Sequence, residues 1–488
     1  MSNWGTTRGG KVSEEKNEQS GYVERAVEMR QRLNQVSPSF CLAKWAQVSI
    51  HLTTGLTQSC YHPPTHKIPL EGLKENPSQL HNTPQKIEER REMKSGTRPK
   101  GCEYCWRIED AKGDHLSDRH YRSGEPWAAE MFDEVVAKPF DYPTVPRYVE
   151  VNFNQACNLK CSYCSPHLST TWAKEIRKHG AYPTETPHND MESLKKSGLM
   201  PIPPNEPNPY VDAFWEWWPT LYPTLKTFRM TGGEPLIDPN TYRVLDWIQE
   251  NPNPELELAI TSNFSMKPEA LEKFLSIIAP IKEKGHLKSF MLFVSVDTIG
   301  EQAEYIRNGL DFNYMWSNVE RYLTEVQTGM VTFISTFNNL SVVRFKDFYD
   351  KVIDLRARHN TNFGRVYLDT PILRYPIWQS IYVLPPSYLA YMYQTQFHME
   401  EKASQLQPDL YGARDTELNR FRRLCSVMAG ENPYSDEEIQ LHRGNFFRFF
   451  SEHDRRRGTD FLKTFPEMED FWSLCQDAAK QRDTNRGQ

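Results

Sequence analysis

The chain has 488 residues, with 58 Lys and Arg against 64 Asp and Glu, and its net charge is −6. Both signs are interspersed, so the composition does not point to nucleic acid as a partner. The mean hydropathy is −0.69, and no apolar run approaches the roughly 18 residues of a spanning helix. The first residues also lack the apolar core of a secretion signal. Membrane, collagen-like and coiled-coil classes are therefore excluded, and a cytoplasmic protein is expected.

Residues 1–36 are polar and charged and are expected to be partly disordered. Four of the nine cysteines follow, Cys41, Cys60, Cys102 and Cys105. Between the first two, the alternating Gln47–Thr54 and the following Gly55 predict a short hairpin. Without a secretion signal, cysteines are more often ligands, redox groups or core residues than disulfides. Four thiolates would complete either an iron–sulfur site or a tetrahedral zinc site, and both remain open.

A second cysteine group comprises Cys157, Cys161 and Cys164, directly after the strand-like Arg147–Phe153. A loop of this length can wrap three sulfurs around one compact iron–sulfur centre, whereas tetrahedral zinc would lack a ligand. An incomplete ligand set would leave one iron open. Three cysteines this close after a strand indicate a metal centre rather than incidental core residues.

Between this loop and the next strand, residues 181–210 contain seven prolines and predict an extended insertion. A surface linker is favoured over a lid above a substrate site. The aromatic group Phe214–Trp218 is interpreted as the apolar face of a helix rather than a docking groove.

Further polar groups follow predicted strands. Leu225–Met230 leads into Thr231-Gly232-Gly233-Glu234-Pro235, where glycines permit close backbone approach and a carboxylate can pair with an ammonium group. The later positions are Ser262, Asn263, Ser295, Asp297 and Arg307. Asp297 could instead cap a helix or end a strand, and Arg307 could be solvated.

From the cysteine loop onward, strand-like runs occur near 148–153, 226–230, 256–261, 290–296, 330–335 and 365–370. Helical patterns alternate with them, which predicts a parallel sheet with right-handed crossovers. Residues 385–488 predict a helical extension in which Cys425 and Cys475 are buried apolar residues. The run Arg455–Arg457 is expected to lie on a solvated helix face.

In this order, the motifs around Cys157, Gly232, Ser262 and Arg307 resemble those of the radical S-adenosylmethionine (SAM) family. The resemblance implies an α/β fold with a partial, TIM-like (β/α)6 barrel over 145–375, whose site lies at the C-terminal strand ends. Cys157, Cys161 and Cys164 would hold a [4Fe–4S] cluster, and SAM would chelate its open iron.

The same resemblance implies further cofactor contacts. Tyr163 would place its backbone beside adenine, while Gly232, Gly233, Glu234 and Pro235 would hold the SAM ammonium group. Ser262, Asn263 and Ser295 would contact ribose, Arg307 would contact the SAM carboxylate, and Asp297 belongs to the same motif. No catalytic residue is assigned.

Residues 37–125 resemble a twitch or SPASM auxiliary module, in which Cys41, Cys60, Cys102 and Cys105 would bind a second [4Fe–4S] cluster. Ser39, Phe40, Glu109, Ser117 and Arg119 fit that module too. The position of this module before the barrel is unusual for the family. Zinc remains the alternative metal for the four cysteines.

The implied activity is reductive cleavage of SAM to a 5′-deoxyadenosyl radical, which abstracts hydrogen from a peptide or protein side chain. The auxiliary cluster would accept the remaining electron, and a flavodoxin or ferredoxin would serve as the low-potential donor. The alternatives are radical dehydrogenation of a small molecule and a non-catalytic zinc-binding scaffold. No membrane or nucleic-acid partner is expected.

Overall fold

A computed structural model describes residues 10–203, 205–361, 363–406 and 410–486. The chain forms two compact units. Unit 1 comprises Met1–Asn154, Ile202–Met230 and Asn253–Leu258, and unit 2 comprises Gln155–Pro201, Thr231–Pro252 and Ala259–Gln488. The units cut across the predicted domain ranges, which stay predictions.

The strands are β1 (Gln47–His51), β2 (Leu56–Gln58), β3 (His66–Lys67), β4 (Tyr148–Asn152), β5 (Lys160–Cys161), β6 (Thr227–Thr231), β7 (Asn253–Ser262), β8 (Leu287–Ser295), β9 (Arg307–Asn308), β10 (Met330–Ile334) and β11 (Val366–Asp369).

The first helices are α1 (Gly10–Val36), α2 (Ala43–Ala46), α3 (Pro84–Ser95), α4 (Glu103–Asp110), α5 (Asp118–Gly124), α6 (Pro126–Ala129), α7 (Phe132–Ala137), α8 (Thr170–His179), α9 (Met191–Lys196) and α10 (Pro209–Leu221). The later helices are α11 (Pro239–Glu250), α12 (Pro268–Glu283), α13 (Gly300–Ile306), α14 (Phe312–Glu325), α15 (Phe345–His359), α16 (Leu389–Gln405), α17 (Asp415–Ala429), α18 (Asp436–Arg457), α19 (Phe461–Thr464) and α20 (Glu469–Arg486).

Local sequence explains where several of these helices begin and end. Asp238 caps α11 by accepting from the backbone N–H of Asn240, and Pro239 occupies the first turn, where a missing N–H costs nothing. Ser435 and Glu438 form a capping box at the start of α18, which ends at the left-handed Gly458.

The strand order in unit 1 is β3, β2, β1, β4, β6, and the first half of β7 follows. Strands β1 and β2 pair antiparallel with Ser49 opposite Gln58, which confirms the predicted hairpin. Gly55 turns it at a φ of +64°, and a Cβ there would lie 2.1 Å from the ring of Tyr210. The other edge of β1 pairs in parallel with β4, Gln47 opposite Tyr148. The auxiliary hairpin and the first predicted barrel strand therefore share one sheet.

In unit 2 the second half of β7 is followed by β8, β10 and β11. Strand β10 pairs in parallel with both β8 and β11. Val294, Phe333 and Leu368 lie opposite one another on these three strands and are buried. The chain is thus an α/β protein with mostly parallel strands, whereas the partial barrel stays a prediction.

The six predicted strand runs all coincide with strands β4, β6, β7, β8, β10 and β11. The predicted helices after them are confirmed as α11, α12, α14 and α15. Helices α16–α20 occupy the region predicted to be helical, and Cys425 and Cys475 are buried as expected. Phe214 and Trp218 lie on the buried face of α10, which confirms the helix interpretation.

Three segments differ from expectation. Residues 10–36, expected to be partly disordered, form α1, because Ala26, Met29 and Leu33 give the helix one buried apolar face. Residues 1–9 lie outside the described part. The insertion is not simply an extended linker, since it contains α9 and buries Tyr182, His188 and Asn189. Arg456 and Arg457 are also buried rather than solvated.

The described helices include none that is both long and apolar enough to cross a membrane.

Candidate functional site

The loop carrying Cys157, Cys161 and Cys164 lies in unit 2, and hydrogen bonds to its backbone fix its position. Cys161 belongs to β5, which pairs antiparallel with β9 so that Cys161 faces Arg307. The indole N–H of Trp172, in the first turn of α8, donates to the carbonyl of Cys161 at 2.9 Å. The short strand pair therefore fixes both the loop and the neighbouring guanidinium.

The three thiols interact electrostatically. Burial and the charge of Cys161 raise the pKa of Cys157 to about 12. Burial also raises the pKa of Cys164, and its two neighbouring cysteines raise it further. For Cys161 burial raises the pKa, while Arg307, whose Nη1 lies 3.5 Å from Sγ, opposes the rise. Such thiols need a metal or a cation to become thiolates.

Arg307 belongs to a buried ionic network. Its Nε donates to Asp297 Oδ2 at 2.8 Å and its Nη2 to Oδ1 at 3.1 Å, and the two residues are 5% and 0% exposed. The Tyr163 hydroxyl lies 2.5 Å from Nη2 and donates to the same carboxylate. Arg307 is therefore buried rather than solvated, which corrects that alternative. Its contact with the SAM carboxylate stays a prediction.

Glu234 also has a different environment from the one expected. Its carboxylate is 1% exposed and accepts hydrogen bonds from Ser262 Oγ at 2.8 Å, Asn263 N at 2.7 Å and Leu236 N at 3.0 Å. Burial raises its pKa, and these bonds oppose the rise. Glu234 and the Ser262 hydroxyl thus join two strand ends, and their contacts with SAM stay predictions.

The glycine turn packs directly on the cysteine loop. Glu234 N donates to Ala156 O at 2.7 Å. A Cβ on Gly233 would lie 2.3 Å from that same carbonyl oxygen. Gly233 is therefore required for the approach of one backbone to another, whereas the sequence suggested the approach of a ligand. Gly232 adopts a φ of +133°, which favours glycine, and Pro235 begins a short 3₁₀ turn.

The remaining predicted positions lie around this turn. Asn263 donates from Nδ2 to Asn158 Oδ1 at 2.8 Å, so it links its strand end to the cysteine loop. Ser295 is half-buried at the end of β8. Unit 2 therefore brings together the cysteine loop, the glycine turn, Asn263 and the Arg307 network.

Sequence reasoning missed His188. Its Nε2 lies 3.2 Å from the carbonyl oxygens of both Tyr163 and Cys164. Its ring packs edge-on against Tyr375 and Trp378. No spacing pattern in the proline-rich insertion marks this histidine, because its partners are backbone atoms far away in sequence.

The donor set fits an iron–sulfur cluster with one open iron, since the loop offers three thiols and no fourth. A polar ligand fits beside it. Gln155 Oε1 is buried two residues before Cys157 and has no hydrogen-bond partner among the described residues. A buried acceptor of this kind calls for a bound donor, from a ligand or from water.

Unit 1 contains the second cysteine group. Cys41, Cys60, Cys102 and Cys105 line one small cavity together with Lys44 and Arg119. Burial raises the pKa of all four thiols, that of Cys60 to about 12. Lys44 is 2% exposed, forms a 2.5 Å ion pair with Glu89, and lowers the pKa of Cys60 and Cys102. Four thiols with a buried cation suit an anionic metal centre.

The predicted supporting residues of this module also meet. Arg119 forms a 2.8 Å ion pair with Glu109 and donates to the carbonyl of Phe40 at 3.0 Å. Ser117 donates to Glu109 at 2.5 Å. Within the described ranges, no three His, Cys, Asp or Glu side chains are grouped as ligands of a metal ion.

Comparison with known proteins gives only remote similarities. No protein-family profile and no curated protein matches the sequence. The structure of Streptococcus suis SuiB bound to precursor peptide SuiA aligns with 78% of this chain and 74% of its own, at 11% identity and a TM-score of 0.33. Native anSMEcpe with bound AdoMet aligns with 51% of this chain and 59% of its own, at 17% identity and a TM-score of 0.28.

The form of anSMEcpe with AdoMet and the Cp18Cys peptide aligns with 66% of this chain and 97% of its own, at 14% identity and a TM-score of 0.28. The match to the form with AdoMet alone spans less than two thirds of that protein. All three similarities are too remote to identify the family of this chain.

Proposed function

We propose that this chain is a radical SAM enzyme with its cofactor site in unit 2. The observation that carries the proposal is the packing of the glycine turn on the cysteine loop, through the 2.7 Å bond from Glu234 N to Ala156 O. This contact puts two motifs, 68 residues apart between Cys164 and Gly232, at one place. When bound, the cluster and SAM supply reductive cleavage to a 5′-deoxyadenosyl radical, and that radical abstracts hydrogen from the substrate.

The residues of the chain prepare the site for these groups. Arg307 holds positive charge 3.5 Å from Cys161 Sγ and so favours the thiolate that iron requires. Asp297 fixes the guanidinium in that position through two hydrogen bonds. His188 and Trp172 bind loop carbonyls and restrain the cysteine backbone. Gln155 Oε1 offers an acceptor to a donor group of SAM.

In this proposal the ammonium group of SAM binds to the backbone of Gly232 and Gly233. The Glu234 carboxylate helps to fix that backbone, because it accepts hydrogen bonds from Ser262, Asn263 and Leu236. Ser295 and Asn263 remain the candidates for ribose. Glu234 is thus a positioning residue.

The four cysteines of unit 1 would bind an auxiliary [4Fe–4S] cluster in a twitch- or SPASM-like module. The buried ammonium group of Lys44 would offset the negative charge of a cluster fully ligated by thiolates. Such a cluster would accept one electron from the substrate, giving a two-electron oxidation overall. The proposed substrate is a peptide or protein side chain, and the proposed location is the cytoplasm.

The first test uses Cys161→Ala, with Cys425→Ala as the control because Cys425 is buried in α17 and belongs to neither group. After anaerobic reconstitution, the first variant should lose about four irons and form no 5′-deoxyadenosine from SAM under dithionite. The control should match the wild type in both readouts. Equal iron content in all three proteins would refute the proposal.

A further inference from the structure

Unit 2 contains a basic cleft next to the cysteine loop, and Lys160, the residue before Cys161, is part of its lining. The cleft has a volume of about 400 Å³ and is lined by Lys160, Thr171, Lys174, Glu175, Lys178, His179 and Arg456. Most of these side chains come from α8, whose last turn carries Arg177 and Lys178 on its exposed side. The cleft is open enough to admit side chains of a partner.

The cleft carries excess positive charge although the whole chain is acidic. Its one carboxylate, Glu175, is buried and shared among Lys160 at 2.7 Å, Arg457 at 3.1 Å and Arg456 at 3.6 Å. Lys174 and Lys178 are exposed and add two more charges. Cationic side chains therefore outnumber carboxylates in the lining, although Glu452, which lies outside the lining, pairs with Arg456.

Arg456 adds a mostly buried positive charge to the wall of the cleft. Its side chain is 2% exposed, and its Nη1 lies 3.6 Å from Glu175 Oε1. Its Nε donates to Glu452 at 2.6 Å, and its guanidinium carbon lies 4.0 Å from the centroid of the Tyr182 ring. The exposed Lys174 and Lys178 are therefore the groups that a carboxylate from outside can reach.

The floor of the cleft adjoins the cysteine loop. Lys160 is covalently next to Cys161 and lies with it in β5. Thr171 donates to the carbonyl of Leu159 at 2.7 Å. The buried indole of Trp172 lies on the same helix and donates to the carbonyl of Cys161. The lining of the cleft and the cysteine loop therefore share β5 and are joined through the first turn of α8.

We propose that this basic cleft is the docking site of an acidic, low-potential redox protein, whose surface carboxylates enter the cleft and pair with Lys174 and Lys178. The inference rests on the proposed function, because that chemistry requires an external electron. A flavodoxin- or ferredoxin-type donor would be oxidised by one electron, which would pass to the cluster that Cys157, Cys161 and Cys164 would hold. No atom or proton is transferred.

Charge complementarity of this type mainly accelerates encounter and depends on salt. Transient redox complexes bury small interfaces and bind weakly. The docking should therefore be weak, fast and sensitive to ionic strength, with the cleft lysines supplying much of the attraction.

The test uses the full chain reconstituted with iron and sulfide, and two probes, a purified acidic flavodoxin and a purified acidic ferredoxin. Binding is measured by surface plasmon resonance at low and high salt. The variant is Lys174→Glu with Lys178→Glu. The control carries the same charge change at Lys284→Glu with Lys480→Glu, two exposed lysines of unit 2 that lie directly after α12 and on α20.

At least one probe should bind at low salt and be released at high salt, and the cleft variant should bind it at least about tenfold more weakly than the control. Equal binding by the two variants, or no binding of either probe, would overturn the inference. Binding of inorganic pyrophosphate in the cleft without either protein would also overturn it, in favour of a small-anion site.

A second readout separates this inference from the proposed function. With dithionite, which needs no docking, the cleft variant should form 5′-deoxyadenosine as fast as the wild type. With the reduced probe protein as donor, it should be slower by a similar factor of about ten. Failure of the wild type with dithionite would refute the proposed function, whereas equal rates of both proteins with the protein donor would refute only the docking site.

Discussion

The substitution Gly233→Ala tests the contact on which the candidate site depends. The new Cβ would lie 2.3 Å from Ala156 O, 2.7 Å from Gln155 C and 2.8 Å from Ala156 C. All three are backbone atoms, so no flexible side chain can yield. Gly233 is outside the left-handed region, so alanine adds no φ strain and the effect is purely steric.

To relieve the overlap, the glycine turn and the cysteine loop must separate by about 1 Å, which breaks the hydrogen bond from Glu234 N to Ala156 O. Overpacking costs about 1–3 kcal/mol, and leaving the buried partners of a hydrogen bond unsatisfied costs about 1–3 kcal/mol. We therefore expect the free energy needed to open the contact between the glycine turn and the cysteine loop to fall by about 2–6 kcal/mol.

The assay is amide hydrogen exchange read by mass spectrometry over residues 155–165 and 232–236. A loss of this size should accelerate local exchange by roughly 30-fold or more. Gly21→Ala is the control, because its Cβ would meet only the flexible end of Arg25 at 3.3 Å and alanine favours the helix α1. Exchange in Gly233→Ala within about twofold of the control would refute the packing of turn on loop.

Three further outcomes follow. Arg307→Gln should lower the free energy of unfolding, measured in urea, by about 3–5 kcal/mol, because the buried Asp297 carboxylate loses its cation. Arg321→Gln, at a partly exposed ion pair, should lower it by less than about 1 kcal/mol. Equal losses in the two variants would contradict the buried pair. Burial lowers the pKa of His453 to about 4, so its stabilising contribution is complete above about pH 6.5 and is lost as the pH falls towards 4. The unfolding midpoint of His453→Phe should therefore depend less on pH over that range. An unchanged slope of the midpoint against pH would contradict this. Cys60→Ala should lower iron by about four per chain yet retain SAM cleavage under dithionite, and unchanged iron would remove the auxiliary cluster.

The strands could be predicted because each is a short alternating or apolar run that ends in polar residues. The pattern alone located β8 and β10, and the parallel pairing between them followed from the intervening helix. The hairpin at Gly55 was equally local, since alternation and one turn residue determine it. Such features depend on neighbours in sequence, which a single chain reveals.

The orientation of polar side chains could not be predicted in the same way. Glu234 was expected to face a ligand, but its partners are an amide and a hydroxyl from another strand. Arg456 was expected in solvent, yet the insertion brings Tyr182 against it and α8 brings Glu175. These outcomes depend on contacts between distant segments, and neither composition nor spacing encodes them.

The most direct test of the central claim is to measure iron, zinc and acid-labile sulfide per chain after anaerobic reconstitution, together with 5′-deoxyadenosine formed from SAM under dithionite. We expect about eight irons with matching sulfide and with SAM cleavage. About four irons, all lost in the triple variant of Cys157, Cys161 and Cys164 to Ala, would retain the enzyme but remove the auxiliary cluster. Zinc without iron, and no cleavage of SAM, would contradict the account and leave a zinc-binding scaffold.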